Sequence, residues 1–434
     1  MSETYTTTRR NVLKAVPAAA LLSATATRRA TSTEPAKRPK IAALVTEIRK
    51  LSHGEVIVDR FLEGFGWEGA HYRPAVDLVS MYVDQFPDGD LARERASRRK
   101  ELTLYPSVKA ALCLGGERLA VDGVVIIGEH GRYPVNEKGQ TLYPRYEFFQ
   151  QTVDVFRTSG RSVPVFNDKH LSWKWDWAKE MVDTAASMGF PLASASSVPI
   201  SWRIPSVEMP LGAEVDEIVA VGNGNVDSYD FHVLEAMQSL AERRKGGETG
   251  VAWLEALKGD AVWKALAGGS WNAGGWDGAL FEACLCRSQQ LAPSHAGFSN
   301  DYPTPADMAR IVKDPVVYRF QYKDGLRGTM LLLNPLVGDI TVAARVKGQP
   351  EPLSTLMYLG GDHETQPHNF DILVKHIEQF VITGKPVCPV ERTLLTTGLV
   401  AAGVDSLAAG SRRLDTPHLA IRYQANPNST FRRT

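Results

Sequence analysis

The sequence predicts an α/β protein with a doubly wound parallel sheet, followed by an α+β region with an open, mainly antiparallel sheet. Two observations carry this prediction. Up to about residue 203, short apolar runs alternate with amphipathic segments, which is typical of parallel βαβ units. Beyond that point, alternating apolar and polar residues predict antiparallel strands, and helical patterns return at 367–410.

The first part contains apolar runs that predict strands, separated by segments with apolar residues at helical spacing. The clearest strand is 121–130, VDGVVIIGEH, in which four consecutive β-branched residues precede a polar turn. Glycine closes two of the helices. Further strands are predicted at 41–45, 76–84, 162–171 and 191–200, and helices at 54–65, 90–100, 145–160 and 175–189.

The second part predicts strands at 217–224, 316–335 and 339–348, with Asp324-Gly325 as a hairpin turn. Together these patterns predict three regions. Residues 1–38 form an export signal and linker, 39–203 a Rossmann-like nucleotide-binding domain, and 204–434 an α+β substrate and oligomerisation domain with a closing C-terminal helix.

Composition limits the classes of partner. The 434 residues carry 49 basic and 49 acidic side chains, so the formal net charge is zero and a general affinity for nucleic acid is not expected. Four scattered cysteines are too few for a disulfide scaffold, and buried thiols are the preferred interpretation.

The N-terminal segment indicates export. Arg9 and Arg10 precede an apolar run at 15–22, and Ala24-Thr25-Ala26 offers a small-residue cleavage site. The run is too short to span a bilayer, so we expect no membrane span. The pattern is typical of a twin-arginine signal and predicts a periplasmic or otherwise exported protein. A disordered basic tail is the alternative.

Ionisable residues lie at the C-terminal ends of several predicted strands. In a doubly wound sheet, ligands bind beyond the carboxyl ends of the strands. These positions therefore predict a ligand cleft, although loop residues that are simply polar would give the same pattern. The candidates are Thr46, Glu47, Asp84, Glu129, His130, Asp168, Lys169 and His170.

The first strand-to-helix loop lacks the glycine fingerprint of dinucleotide binding. It reads TEIRKLSHGE with Gly54 as its one glycine, whereas the fingerprint needs three. Ser52 and His53 could donate hydrogen bonds to a phosphate, and Asp84 could accept from ribose hydroxyls. The fold therefore favours NAD or NADP, and this loop argues against its usual mode of binding. The predicted cofactor-binding residues are Thr46, Glu47, Ser52, His53, Asp84, Glu129, His130 and Asp168.

Two residues are predicted to handle a proton. Lys169 follows a strand in the cleft, where neighbouring charge can tune a lysine. His232 lies near the start of a helix that would point at the cleft, and Asp230 or Asp227 could orient its imidazole. An exposed lysine without a role and a packed core histidine are the alternatives.

Metal binding is the competing chemistry, but no histidine pair has the spacing that places two ligands on one helix turn. No metal site is therefore predicted. The candidate ligands considered are His53, His130, His170, His232, His363 and His368.

Residues 39–423 resemble the Gfo/Idh/MocA oxidoreductases, and three stretches carry the resemblance. NDKHLSW, 167–173, resembles the family's E-K-P motif, which places its lysine on Lys169. VDSYDFHVLE, 226–235, resembles the D-x-x-x-H segment, which places its histidine on His232 and puts Ser228 where the acid belongs. The stretch beginning GKPVCP at residue 384 resembles the region before the family's closing helix.

The resemblance implies hydride transfer between NAD(P) and a carbohydrate or polyol hydroxyl, with Lys169, His232 and Asp230 as catalytic residues. It also implies a homo-oligomer formed through the sheet of the second domain. A nucleotide-independent lyase or hydrolase acting on a sugar derivative, with or without a metal, is the alternative. A non-catalytic sugar-binding protein that uses Trp173, Trp175 and Trp177 is the third possibility.

Overall fold

The first half of the chain folds around a parallel sheet of six strands. The computed structural model describes residues 37–295, 301–360 and 367–433. The strands of the chain are β1 (Lys40–Val45), β2 (Phe65–Trp67), β3 (Ala70–Tyr72), β4 (Asp77–Val83), β5 (Thr103–Tyr105), β6 (Gly123–Ile127), β7 (Val165–Asp168), β8 (Leu192–Ala195), β9 (Trp202–Ile204), β10 (Val215–Gly222), β11 (Val251–Lys258), β12 (Val316–Tyr322), β13 (Arg327–Leu332), β14 (Ile340–Val346), β15 (Leu353–Tyr358) and β16 (Leu414–Asp415).

Helices connect and cover these strands. They are α1 (His53–Glu63), α2 (Ala92–Arg98), α3 (Val108–Leu112), α4 (Arg145–Ser159), α5 (Trp175–Met188), α6 (Tyr229–Ala241), α7 (Asp260–Gly268), α8 (Gly278–Arg287), α9 (Pro305–Ile311), α10 (Asn369–Thr383) and α11 (Val390–Ala408).

The parallel sheet has the order β5-β4-β1-β6-β7-β8, and each neighbouring pair is parallel. In sequence order this is the 3-2-1-4-5-6 arrangement of a doubly wound dinucleotide fold, whose strand order reverses beside β1. The central strand β1 is apolar and buried from Ile41 to Val45, because helices cover both faces of the sheet. The switch point therefore lies beyond the ends of β1 and β6.

The sheet is enclosed by helices from both parts of the chain. On one face, Ile41 and Val45 of β1 pack with α1 and with Leu373 and Ile377 of α10. On the other face, Leu44 packs with α3, α4 and α5. The C-terminal helix α11 also contacts α5 and β8. Helices α10 and α11 of the predicted second domain therefore pack on the parallel sheet of the predicted first domain.

The second sheet has eight strands in the order β16-β11-β12-β13-β10-β14-β15-β9. Its neighbouring pairs are antiparallel except for β10 and β13, which run parallel. The predicted hairpin turn at Asp324-Gly325 joins β12 to β13, and Gly325 adopts a left-handed φ of 95°. An open, mainly antiparallel sheet is confirmed.

Both faces of the second sheet are covered by the chain itself. One face packs against α6 and α11. On the other, Val219 and Leu331 of the sheet pack with Trp276, Phe281 and Leu285 from α8 and the residues before it. Helices α7, α8 and α9 were not predicted from the sequence. Because α8 lies on this face, the predicted oligomer could not use the face as a bare apolar surface.

The local predictions for residues 41–200 agree with the structure, since each predicted strand and helix is present with ends shifted by a few residues. The thiol prediction holds for Cys113, Cys284 and Cys388, which are buried, whereas Cys286 is exposed. Across the described residues, no helix is long and apolar enough to cross a membrane. The predicted export signal falls almost entirely on residues 1–36, which lie outside the described part of the chain.

The buried ion pair between α6 and α11 yields a stability prediction. Arg392 donates to both carboxylate oxygens of Glu242, at 2.8 and 2.5 Å, and both side chains are almost completely buried. We expect Arg392→Ala to lower the free energy of unfolding by about 3–5 kcal/mol, because it leaves the buried carboxylate of Glu242 without its cation. Urea denaturation measures this.

The matched control is Lys179→Ala, which breaks the exposed pair with Asp183. We expect this change to stay within about 0.5 kcal/mol of the parent chain. Equal effects of the two substitutions on the free energy of unfolding would show that the buried Arg392–Glu242 pair stabilises the fold no more than an exposed ion pair does.

Candidate active site

A buried carboxylate held by two cations lies at the carboxyl ends of β6 and β7. Glu129 Oε1 accepts from Lys169 Nζ at 3.0 Å, and Glu129 Oε2 accepts from Arg145 at the start of α4. All three side chains are at most 6% exposed. Gly128 is needed here, because a Cβ at that position would lie 2.5 Å from Cγ of Arg145.

The two cations keep Glu129 ionised. Burial alone would raise the pKa of its carboxyl group, but the charges of Lys169 and Arg145 outweigh burial and hold the pKa well below its usual value. Arg145 also donates to Nε2 of His170 at 3.1 Å. Burial, followed by the charge of Arg145, lowers the pKa of His170 well below its usual value, so that imidazole is neutral.

Three non-glycine residues of the site adopt left-handed backbone conformations. His130, Lys169 and Asp227 have φ values of 69°, 65° and 61°. Such conformations cost of order 1–3 kcal/mol each and persist where the surrounding structure fixes them, often at functional sites. Their concentration beside Glu129 marks this edge of the sheet as the candidate active site.

His232 lies in the first turn of α6, and its ring contacts Ser196 beyond the end of β8. Its Nδ1 is 2.6 Å from the hydroxyl oxygen of Ser196, which also accepts from the backbone amide of Val198 at 3.0 Å. Burial lowers the pKa of His232 well below its usual value, and the charge of Lys169 lowers it further. His232 is therefore a neutral imidazole, and its pKa responds to the charge of Lys169.

Asp230 does not orient His232, contrary to the prediction from sequence. Its Oδ1 accepts from the backbone amides of Ser228 and Phe231 at 3.0 and 2.9 Å, and its Oδ2 accepts from the hydroxyl of Tyr318 at 2.9 Å. Asp230 thus satisfies amides at the start of α6 and ties the helix to β12. The partner of the histidine is Ser196 instead.

Asp227 is the acid that faces the site. Its Oδ1 accepts from Nε2 of Gln140 at 3.2 Å. Burial and the neighbouring Asp230 raise the pKa of Asp227 to about 7, against the opposing effects of Gln140 and Arg145. A carboxyl group with this pKa exchanges protons readily near neutral pH.

The N-terminus of α1, where this fold usually binds phosphate, is occupied by side chains of the protein. The backbone amide of His53 donates to Nδ1 of His130 at 3.3 Å, and that of Glu55 donates to the hydroxyl of Ser52 at 3.2 Å. The Glu55 carboxylate in turn accepts from the amide of Leu51. Burial, and then the nearby His53, lower the pKa of His130 to about 3, so its ring nitrogen is free to accept.

Gly54 retains one part of the glycine fingerprint. A Cβ at this position would lie 2.4 Å from the carbonyl oxygen of Glu47, so glycine permits the close approach of α1 to the end of β1. This is the packing role of the last glycine of the fingerprint, without the two that allow close approach of pyrophosphate.

The other predicted cofactor residues in this region make hydrogen bonds within the protein. The Thr46 hydroxyl donates to the carbonyl oxygen of Glu129 at 2.6 Å, and Glu47 accepts from Arg49 at 2.6 Å. Nδ1 of His53 lies 2.5 Å from Oδ2 of Asp168. Thr46, His53 and Asp168 thus help to join the ends of β1, β6 and β7.

Asp84 lies just beyond β4, where an acid can accept from ribose hydroxyls. Its carboxylate already accepts from the hydroxyls of Tyr82 and Tyr133, at 2.6 and 2.7 Å. Tyr133 belongs to the long segment between β6 and α4, which also bonds to Gln85 through the backbone of Arg132. This segment therefore lies beside the ribose position.

A dinucleotide fits these residues in part. Asp84 is correctly placed and exposed, and a carboxylate has about four lone-pair positions, of which two are used. Two amides at the N-terminus of α1 are bonded to Ser52 and His130, so pyrophosphate would have to displace these side chains in order to bind those two amides. The ribose position fits the cofactor and the pyrophosphate position does not.

Within the described ranges, no group of three or more histidine, cysteine, aspartate or glutamate side chains is arranged to hold a metal ion. Of the candidate ligands, His363 falls outside the described residues. His368 bonds to Asp371 on α10 at 2.7 Å.

Several residues of the site were not predicted from the sequence. Arg145 and Gln140 come from the segment after β6, and Ser196 from the end of β8. Ser196 could have been predicted as a site residue, because it follows a strand whose predicted end lies at the same edge of the sheet as Lys169. No local sequence pattern marks Arg145 as a site residue.

The fold was compared with known proteins. No protein-family model matches the sequence, and no curated protein matches it either. Solved structures do match. GenD2 from gentamicin A biosynthesis, in complex with NAD, is 13% identical and aligns over 87% of this chain and 96% of its own, with a TM-score of 0.53.

A second match is myo-inositol dehydrogenase from Lactobacillus casei, in complex with NAD(H) and myo-inositol. It is 12% identical over 91% of this chain and 100% of its own, with a TM-score of 0.51. This chain shares its fold with both of these structures. At these identities the likeness establishes a shared architecture, and chemistry has to be argued from the site.

The raised pKa of Asp227 predicts a pH-dependent stability. A folded pKa of about 7, against an ordinary 3.8, means that the folded chain binds this proton more tightly than the unfolded chain. Stability therefore falls as the pH rises from about 4 to about 7. We expect Asp227→Asn to remove this decline, so that relative to the parent it gains up to about 2–3 kcal/mol between pH 5 and pH 8.

Urea denaturation at the two pH values measures the effect. Asp227 lies close to Asp230, Glu129, Arg145 and Gln140, so the difference between the variant and parent curves measures the titration of Asp227 together with its coupling to these charges. Parallel stability curves for the two proteins would show that Asp227 titrates normally.

Proposed function

We propose that this chain is an oxidoreductase that exchanges a hydride between NAD(P) and a hydroxyl-bearing carbon of a carbohydrate or polyol. One observation carries the proposal: the buried Glu129–Lys169 pair lies at the switch-point edge of a doubly wound sheet, with neutral His232 as its electrostatic neighbour. A fixed cation and a neutral base are the two groups that oxidation of an alcohol requires.

His232 is the proposed base for the hydroxyl proton. If its Nδ1–H donates to Ser196, Nε2 keeps a free lone pair, which is the form a general base needs. Within the described residues Nε2 has no protein hydrogen-bond partner. Ser196 therefore acts as a positioning residue, because its hydroxyl selects the tautomer and fixes the ring.

Lys169 is the proposed group that stabilises the developing negative charge on the substrate oxygen. Its Nζ has one hydrogen-bond partner in the described structure, Glu129, and an ammonium group carries three donors. Two donors thus remain for the substrate oxygen. Arg145 neutralises the other oxygen of Glu129, so that the pair stays in place as charge moves in the site.

NAD(P) would supply the hydride acceptor. Support comes from the fold and from GenD2 and myo-inositol dehydrogenase, whose structures contain NAD and NAD(H). Asp84 is the residue proposed to hold the ribose. At the N-terminus of α1, Ser52 and His130 would first have to release the two amides that they cap.

The capped helix favours a second candidate function. A chain that fills its own phosphate site with Ser52, Glu55 and His130 could use Lys169 and His232 for proton transfer alone, as a nucleotide-independent lyase or hydrolase acting on a sugar derivative. In that case the neutral base removes a proton from carbon or oxygen, and Lys169 stabilises the resulting anion.

Two further proposals concern the setting of the enzyme. Export to the periplasm rests on the twin arginines and the apolar run within residues 1–38. Homo-oligomerisation rests on the resemblance to the family. Because α8 covers one face of the second sheet and α6 the other, we expect any oligomer to use α7–α9 or an edge of the sheet as its contact surface.

Cofactor content separates the two candidate functions. We expect protein purified from its native host and then denatured to release NAD or NADP in a near-stoichiometric amount, detected by absorbance and mass spectrometry. Absence of nucleotide, together with no heat of binding on titration with NADH and NADPH, would reject the oxidoreductase in favour of the second candidate. His130→Ala, which frees the amide of His53, is the matched variant and should bind added nucleotide at least as tightly.

Two substitutions test the proposed proton chemistry. We expect Lys169→Met and His232→Gln each to lower kcat by about 10²–10⁴, the usual contribution of an acid or base. Ser196→Ala should lower it less, because water can replace a positioning hydroxyl. The readout is turnover with whichever substrate a screen of polyols and sugars identifies.

Thermal unfolding is the control for these variants. His232→Gln should unfold within about 1–2 kcal/mol of the parent, since glutamine keeps a polar partner for Ser196. Full activity of His232→Gln would show that His232 is a structural residue of the core and not the base.

A further inference from the structure

A cavity of about 410 Å³ lies beside the candidate active site, and the chemistry proposed above does not use it. Its wall is formed by the segment between β6 and α4, the start of α5, α11 and the segment around β16. The volume lies within the range of about 300–1,000 Å³ that is typical of small-molecule sites. The lining residues include Lys138, Gln140, Trp173, Trp175, Asp405 and His418.

Gln140 joins this cavity to the candidate active site. It lines the cavity, and its Nε2 donates to the carbonyl oxygen of Trp173 at 3.0 Å and to Oδ1 of Asp227 at 3.2 Å. Asn136 donates to the side-chain oxygen of Gln140 at 3.1 Å, which fixes the amide in this orientation. A group bound in the cavity is thus separated from Asp227 by one ordered side chain.

The aromatic wall of the cavity is rigid. The rings of Trp175 and His418 have centroids 5.2 Å apart, and Trp175 packs so closely on α11 that a Cβ at Gly398 would lie 2.8 Å from its indole. A preformed aromatic surface binds the apolar face of a sugar ring with little loss of side-chain entropy. Trp177 does not line the cavity, and its ring stacks on Tyr146 at 4.6 Å and contacts the cavity residue Trp173 at 4.9 Å.

The charges around the cavity favour a neutral ligand. Lys138 is paired with Asp405 at 2.6 Å, which leaves neither a free cation nor a free anion at that side. The remaining charged residues of the wall are Lys174, Asp176 and Asp415, with a small excess of acid. No arginine is among the wall residues in the part of the chain that the structure describes, so the bidentate recognition of phosphate or carboxylate is not available.

We propose that this cavity is a binding site for a neutral saccharide, which rests on Trp175 and bonds through its hydroxyls to the polar groups of the wall. The site is distinct from the Lys169–His232 centre and its occupancy does not require turnover. It provides a place for the non-reacting ring of an oligosaccharide or glycoside, next to the acid at Asp227. The inference therefore holds whether the neighbouring centre transfers a hydride or only a proton.

Calorimetric titration of the full chain with glucose, myo-inositol, maltose and cellobiose tests the proposal. We expect at least one of these probes to bind saturably with a Kd below about 10 mM. Trp175→Ala should weaken that binding at least about tenfold, and the control Trp67→Ala, at a half-buried tryptophan of β2 that does not line the cavity, should leave it unchanged. Trp173→Ala provides a second cavity variant should Trp175→Ala fail to fold, as judged by thermal unfolding.

His232→Gln separates this inference from the proposed function. Saccharide binding that survives His232→Gln but is lost in the cavity variants supports the cavity as the site. Binding that is lost in His232→Gln and kept in Trp175→Ala and Trp173→Ala would overturn the inference, as would no binding of any probe up to about 50 mM. Loss of turnover in His232→Gln bears on the proposed function alone.

Discussion

The ion pair between the Glu129 carboxylate and Lys169, reinforced by Arg145, is the constraint on which the site depends. A buried charge is costly unless oppositely charged groups and hydrogen bonds compensate it, and here each carboxylate oxygen has its own cation. The local backbone is shaped to allow this. Gly128 leaves room for Arg145, and Lys169 takes a left-handed conformation at the end of its strand. Substituting Glu129 with an uncharged residue would leave two buried cations without their carboxylate where the proton chemistry is proposed to occur.

The chain has the dinucleotide-binding fold, but its own side chains bond to two of the backbone amides at the helix N-terminus where that fold usually binds pyrophosphate. The sheet has the expected strand order, and Gly54 preserves the close packing of α1 on β1. The amides at the start of the helix are nevertheless bonded to Ser52 and His130. A helix N-terminus binds anions through free amides. The fold of this chain therefore does not by itself establish that it binds a nucleotide.

The sequence predicted the architecture well because alternating strands and helices depend on local periodicity. It also proposed Lys169 and His232, and the structure places them close enough for the charge of Lys169 to lower the pKa of His232. Their catalytic roles stay predictions. Their partners were predicted less well. Asp230 is two residues from His232 but bonds to Tyr318 on β12, whereas Ser196 is distant in sequence and adjacent in space. Helices α7–α9 were missed because their short segments pack on the second sheet through tertiary contacts that local patterns do not reveal.

A crystal structure of the protein with a bound polyol or sugar tests the proposed mechanism directly. If the mechanism is correct, one substrate hydroxyl oxygen lies within about 2.6–3.2 Å of both Nζ of Lys169 and Nε2 of His232, with Glu129 still bonded to Lys169. A complex in which the reacting hydroxyl lies elsewhere, and Lys169 and His232 contact only protein, would contradict it.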